Sequence, residues 1–283
     1  MKNFEKISQR IDSYEKAMIE LQGTLTAIPA LSPVNGGEGE VKKAEAIVKF
    51  LKGMNFSEIL ELNAPDSSAP CGYRPNIIAL YKGKSDKKTI WIMSHMDVVP
   101  PGDLNMWETD PYKIEVKDGK IYGRGTEDNQ QSLVASIFAL KAFIDEGLVP
   151  EYDTGLVFVA DEETGSQFGL GHVLKEYKNF RHEDYILVPD SGNCDGSMIE
   201  VAEKSILWIQ FTTTGKQCHA SRPSKGINSF RAASHLVVKL NELYNIYPKV
   251  NNLFDPPIST FEPTKKEGNV PNINTIPGKD IFC

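Results

Sequence analysis

Cysteine is scarce in this 283-residue sequence, with only Cys71, Cys194, Cys218 and Cys283, widely and unevenly spaced and with no CxxC pair. That argues against a disulfide framework and a cysteine-zinc knuckle and leaves reduced thiols as the expectation. Long apolar runs are also missing. Residues 1–18 read MKNFEKISQRIDSYEKAM, where charges interrupt every apolar pair, so neither a signal-peptide core nor a membrane span is expected and the cytoplasm is the expected location. There is no Lys/Arg stripe with interleaved aromatics. A formal charge of -7 and a pI near 5.4 disfavour nucleic acid as a partner. Nucleotide motifs fail as well: no GxGxxG occurs, and the position five before Gly83-Lys84-Ser85, where a phosphate loop needs glycine, is Ile78.

What is present is a chain with 40% hydrophobic residues, enough for a sizeable core in one or two domains. Apolar residues recur at helical spacing from Phe4 to Leu25, from Val41 to Leu51, from about Asn129 to Glu146, and through Leu170 to Tyr177. Strand-like runs lie at Glu58 to Leu62, Asn76 to Tyr81, Thr89 to Met93, Gly155 to Ala160 and Tyr185 to Val188, and Asp118-Gly119 marks a hairpin. Alternating strands and helices predict an α/β fold with a mostly parallel sheet and helices on both faces. After Gly196 the texture changes. A strand over Ser205 to Thr214, a helix from about Asn228 to Tyr244, a strand near Ile258 to Phe261 and a loop from Gly268 to Gly278 suggest a smaller α+β unit. The expected domains are 1–198 and 199–283.

Chemistry-bearing residues collect where the first domain's strands end. His95 and Asp97 follow the run ending at Met93, a spacing that suits a metal-binding imidazole oriented by an acid. Asp128 opens a helix after the loop Tyr122-Gly-Arg-Gly-Thr-Glu127, Glu162-Glu163 follow the run ending at Ala160, and Asp190 follows Val188. Taken singly, Asp128 reads as a helix cap, the glutamates as a solvated pair and Asp190 as a turn residue. Together, a His and four acids at one sheet edge would repel one another without a cation. Ligands outside the carboxyl ends of strands are the rule in such sheets. Mixed His and carboxylate donors favour Zn²⁺, Co²⁺ or Mn²⁺ over Ca²⁺, and an excess of acids suits two ions bridged by one carboxylate.

The ordered motifs Ser94-His-Met-Asp-Val-Val-Pro100, Trp107…Asp110-Pro111, Gly119-Lys-Ile-Tyr-Gly-Arg-Gly-Thr-Glu-Asp-Asn129, Asp161-Glu-Glu-Thr-Gly-Ser166 and Pro189-Asp-Ser-Gly192 resemble the co-catalytic zinc hydrolase family of acetylornithine deacetylase, succinyl-diaminopimelate desuccinylase, carboxypeptidase G and dipeptidases. The resemblance implies a zinc exopeptidase-like catalytic domain with a lid and dimerisation domain. It implies that His95 and Asp190 hold one metal, Glu163 the other, and Asp128 bridges them through a cis peptide to Asn129. Asp97 would orient His95 and Glu162 would be the general base. His219, in Gly215-Lys-Gln-Cys-His-Ala-Ser-Arg-Pro223, resembles the lid histidine that reaches the partner subunit's site, and Asn274 resembles a lid asparagine that touches substrate. The substrate would be a small peptide or an N-acyl amino acid, as in the deacetylase and desuccinylase, and the complete protein a homodimer. Asp190 stands where peptidase members carry Asp and deacylases Glu, which favours a peptide with a free amino end. A second metal-binding histidine and a substrate-gripping arginine of the family lie beyond the motifs found, so a truncated chain is expected. The alternative is a catalytically incomplete fragment that binds metal or a partner.

Overall fold

A computed structural model describes residues 2–193, 195–267 and 273–283, so Cys194 and the first part of the expected Gly268 to Gly278 loop lie outside the described residues. The chain divides into two units, Met1–Asp195 and Gly196–Cys283, against an expected boundary at 198/199.

In the first unit, helices α1 (Lys2–Asp12), α2 (Glu15–Thr26) and α3 (Val41–Leu51) precede strands β1 (Glu58–Glu61), β2 (Ile77–Tyr81) and β3 (Ser85–His95). Helix α4 (Ser132–Asp145), strand β4 (Tyr152–Val159), helix α5 (Leu170–Glu176) and strand β5 (Tyr185–Leu187) follow. The sheet order is β1-β2-β4-β3-β5. The expectation of a mostly parallel sheet holds for β4, β3 and β5, whereas β1 with β2 and β2 with β4 pair antiparallel. The reason is the short link between β2 and β3. Parallel strands need a crossover of a dozen or more residues, so these two run in opposite directions, and they lie on either side of β4.

Strand β4 is buried along nearly all its length, and its alternate residues serve two cores. Leu156 and Phe158 pack with α2, α3 and α4 residues such as Leu25, Ile47 and Ile137. Val157 and Val159 pack with Trp91, Val173 and Tyr177 on the other face. The expected single helix from Phe4 to Leu25 is broken at Ser13 and Tyr14. Tyr14 is buried against Phe138, at a ring separation of 5.2 Å, and its hydroxyl donates to Asp145 at 2.6 Å. The Asp118-Gly119 hairpin forms as expected between Glu115–Lys117 and Lys120–Tyr122, both turn residues having positive φ.

The second unit holds strands β6 (Phe211–Thr214) and β7 (Cys218–His219), helix α6 (Ser229–Leu240), and strands β8 (Lys266–Glu267), β9 (Thr275–Ile276) and β10 (Lys279–Phe282). Strand β10 lies between β6 and β8, and β7 pairs with β9. The expected strand from Ser205 is confined to Phe211–Thr214, because β10 offers partners only to those four residues. Ile258 to Phe261 is not strand, the second pairing going instead to Lys266–Glu267. Thr275–Ile276 is strand, not loop. The helix expected to reach Tyr244 ends at Leu240, and a separate short helix covers Leu243–Ile246. Asn228 caps α6, its side chain accepting the Arg231 N–H at 3.0 Å. The described residues contain no helix long and apolar enough to cross a membrane.

Candidate metal centre

The parallel register sets His95 beside Val159 and Ile92 beside Leu187, so β3, β4 and β5 end along one edge. Three loops leave that edge and bring five donor side chains together. His95 Nε2 lies 2.8 Å from Asp128 Oδ1, 3.6 Å from Asp190 Oδ1 and 3.9 Å from Glu162 Oε2. Donor atoms of His95, Glu162 and Asp190 fall within 4.8 Å of one another, as do those of His95, Asp128 and Glu163. His95 is buried, while the carboxylates face outward or are half-buried.

Local backbone explains how the acids arrive there. Gly125 takes a left-handed conformation, Asp128 and Asn129 depart from helical angles, and the Asp128-Asn129 peptide is cis before α4 begins at Ser132. Asn129 Nδ2 donates to Asp190 and the Ser132 hydroxyl to the Pro189 carbonyl, tying the Asp190 loop to this segment. Asp97 does more than the sequence suggested. Its backbone carbonyl lies 3.0 Å from His95 Nδ1 and its carboxylate 3.4 Å away, but that carboxylate also accepts the Glu162 N–H at 3.1 Å and the Glu163 N–H at 3.0 Å. One buried acid thus registers the acid pair against the imidazole. The cis peptide to Asn129 was expected, but neither the role of its side chain, nor Ser132, nor the buried group of Arg74, Glu40 and Asp161 was singled out from sequence. Asp161 and Ser132 lie in or near the motifs, whereas Arg74 and Glu40 stand far from them in sequence and carry no local cue.

The electrostatics fit a cation site. Burial disfavours charge on His95, yet the nearby carboxylates of Asp190, Asp97 and Asp128 outweigh it and push the imidazole up to about 11. Burial, then the charge of Asp128, pushes Glu163 up to about 7. Burial likewise raises Glu162, whereas the nearby His95 imidazole lowers Asp190. A proton on His95 therefore balances acids that would otherwise repel, and a divalent cation would do the same with directed bonds. Among the described residues, His172, His182 and His235 belong to neither donor group.

In the second unit, β7 and β9 place His219 opposite Thr275, and the Ala220 N–H donates to the Asn274 carbonyl at 2.7 Å, so the two lid candidates lie side by side. The Ser221 N–H donates to His219 Nδ1 at 3.2 Å, which leaves Nε2 as the donor nitrogen of the neutral ring. Cys71, Cys218 and Cys283 are free.

An α/β unit with a histidine-and-carboxylate cluster at the carboxyl ends of its parallel strands defines a protein built to hold divalent metal. The chain belongs to peptidase family M20/M25/M40, which matches residues 91–271. It is 46% identical over 270 residues to an uncharacterized metallohydrolase of Methanococcus maripaludis, covering 92% of this chain and 64% of that protein. It is 30% identical over 266 residues to the succinyl-diaminopimelate desuccinylase of Delftia acidovorans, covering 92% and 65%. Among solved structures, the di-peptidase Dug1p of Saccharomyces cerevisiae shares the fold at a TM-score of 0.69 and 18% identity, covering 98% of this chain and 70% of that one. Human carnosine dipeptidase 1 does so at 0.67 and 20%, covering 98% and 70%. The chain thus spans about two thirds of the length of the curated relatives it matches.

Proposed function

We propose that the full-length protein hydrolyses an amide bond with two divalent metal ions, zinc being best matched to this donor set and cobalt or manganese able to replace it. The observation that carries this reading is the convergence of two donor groups that share His95, one with Asp128 and Glu163 and one with Glu162 and Asp190, each with its donor atoms within 4.8 Å of one another. Asp128 would bridge the ions, His95 and Asp190 hold one, and Glu163 hold the other. Bound there, the ions would polarise the scissile carbonyl and make a water acidic enough to attack at neutral pH. Glu162 would accept a proton from the attacking water and pass it to the leaving amine, and its partial burial, by raising its proton affinity, suits the task. His219, with Nε2 free to donate, would stabilise the tetrahedral oxyanion in a partner subunit, which makes the working form a homodimer. Asn274 would contact substrate.

Asp190 and the dipeptidase-like fold favour a dipeptide or small peptide with a free amino end, and the desuccinylase relatives keep N-acyl amino acids in the substrate class. The cytoplasm is the expected setting. One observation supports a second reading, metal binding without turnover by these 283 residues: both donor groups share His95, so among the described residues one of the two ions is left with carboxylates.

The test is Glu162→Gln in the full-length protein, with metal content and hydrolysis of dipeptides and N-acyl amino acids measured side by side. Turnover should fall by about 10³-fold or more while close to two metals stay bound. Near-parental turnover would remove Glu162 as the base.

A further inference from the structure

We propose, resting on the amide-hydrolase reading of the site, that Arg74 and Asp161 are positioning residues whose buried contact fixes the turn that aims Glu162 and Glu163. Asp161 directly precedes the pair, is 3% exposed, and adopts φ 63°, a left-handed conformation that residues other than glycine seldom take. Its carboxylate accepts the Phe168 N–H at 3.0 Å, the Thr164 hydroxyl, and Arg74 Nη1 at 3.5 Å. Its own carbonyl accepts the Ser166 N–H at 2.6 Å. Arg74, 1% exposed, spends the rest of its guanidinium on Glu40, with Nε donating to Oε2 at 2.6 Å and Nη2 to Oε1, and on the Ser32 hydroxyl at 3.2 Å. Asp66 stands 3.6 Å from Nη1.

The turn is therefore gripped by two buried carboxylates. Asp97 takes the N–H groups of Glu162 and Glu163 from the side of β3. Asp161 takes the turn's hydroxyl and its exit N–H from beneath, and is itself held by Arg74. Stability alone does not call for such a group, since well-packed apolar residues of equal volume commonly match or exceed a buried ion pair. A planar guanidinium fork contributes direction instead, holding carboxylates at set angles. Direction matters here because Glu162 and Glu163 are adjacent. A small rotation of the turn moves the proposed base and a proposed metal ligand together, and a shift of about 1 Å can cost about 100-fold in rate.

The experiment uses the full-length protein with Asp161→Asn, which tolerates the left-handed conformation but can no longer accept every donor, together with Thr164→Val and Arg74→Met. Each is titrated with Zn²⁺ by calorimetry, melted, and assayed for kcat and KM. Asp161→Asn should weaken one of two Zn²⁺ binding steps by about 10- to 100-fold. It should also lower kcat by about 10- to 100-fold with KM within about threefold of the parent. Where Arg74→Met fails to fold, Thr164→Val carries the same test, with a loss of at least about threefold in the same two quantities. Variants that melt earlier yet keep Zn²⁺ affinity and kcat within about twofold of the parent would overturn the proposal. If the parent hydrolyses no peptide or N-acyl amino acid, the amide-hydrolase reading fails, and the Zn²⁺ titration still decides whether Arg74 and Asp161 position Glu163.

Discussion

Lys43 shows at the scale of one residue how the charged floor of the first unit is balanced. It lies on α3 with 1% of its surface exposed. Burial lowers its proton affinity, and the charges of Asp97 and Glu40 recover only part of the loss, leaving it at about 8 against an ordinary 10.5. Between those two values the unfolded chain binds more protons at this position than the folded one, so stability rises with pH there. Below about 8 the full cost of the buried cation is present. Lys43→Met should therefore be more stable than the parent by about 3 kcal/mol near neutrality. That advantage should shrink as pH climbs from about 8 to about 10.5, as denaturant unfolding at a series of pH values would read. A variant less stable than its parent at every pH would mean that Asp97 and Glu40 depend on the ammonium more than burial penalises it. None of this is legible in the sequence, where Lys43 is one of two adjacent lysines in an amphipathic helix. The five donors of the candidate centre were legible because each follows a strand end or opens a helix within a local motif. The Arg74 contact to Asp161 spans 87 positions, and no local pattern announces it.

At the scale of elements, β4 carries the most information per residue. Its apolar run predicted burial on both faces, and the structure bears that out with Leu156 and Phe158 on one face and Val157 and Val159 on the other. Gly155 within the same strand is the exception, since glycine weakens a strand interior unless something must come close. Here a Cβ at that position would run into the Trp91 ring of β3. Trp91 has little freedom to retreat: it is 1% exposed, lies edge-on to Phe180 at 4.8 Å, and donates from Nε1 to Asp184 at 2.9 Å. Gly155→Ala is therefore expected to destabilise the first unit by about 3 kcal/mol and to change Trp91 fluorescence. An unaltered melting temperature would show that the indole has room to move. Elements whose partners lie far off in sequence were the ones misjudged. Ser205 to Gln210 alternates like a strand but meets no partner strand among the described residues, and the pairing of Thr275–Ile276 with Cys218–His219 is invisible in a stretch rich in turn residues.

For the molecule as a whole, the distribution of apolar surface is uneven in a way that has measurable consequences. In the first unit, strand β5 and the residue after it expose Tyr185, Ile186, Leu187 and Val188 by 51 to 59% each. In the second unit, Ile199, Val201, Ile206, Leu207 and Trp208 are exposed by 79 to 90%. Scattered apolar side chains on a surface need no explanation, but consecutive ones make patches that associate with other apolar surfaces. An edge strand with free backbone groups adds a template for pairing with another chain. These 283 residues expressed by themselves are therefore expected to bind a hydrophobic dye and to self-associate at micromolar concentration, as dye fluorescence and sedimentation velocity would show. Val201→Ser with Trp208→Ser, at positions 90% and 89% exposed, should reduce both signals while leaving the far-ultraviolet circular dichroism unchanged, because fully exposed substitutions cost little stability. A monodisperse parent that binds no dye would show that these side chains are covered in solution, and the apolar character of β5 would then have to be explained by packing within the chain.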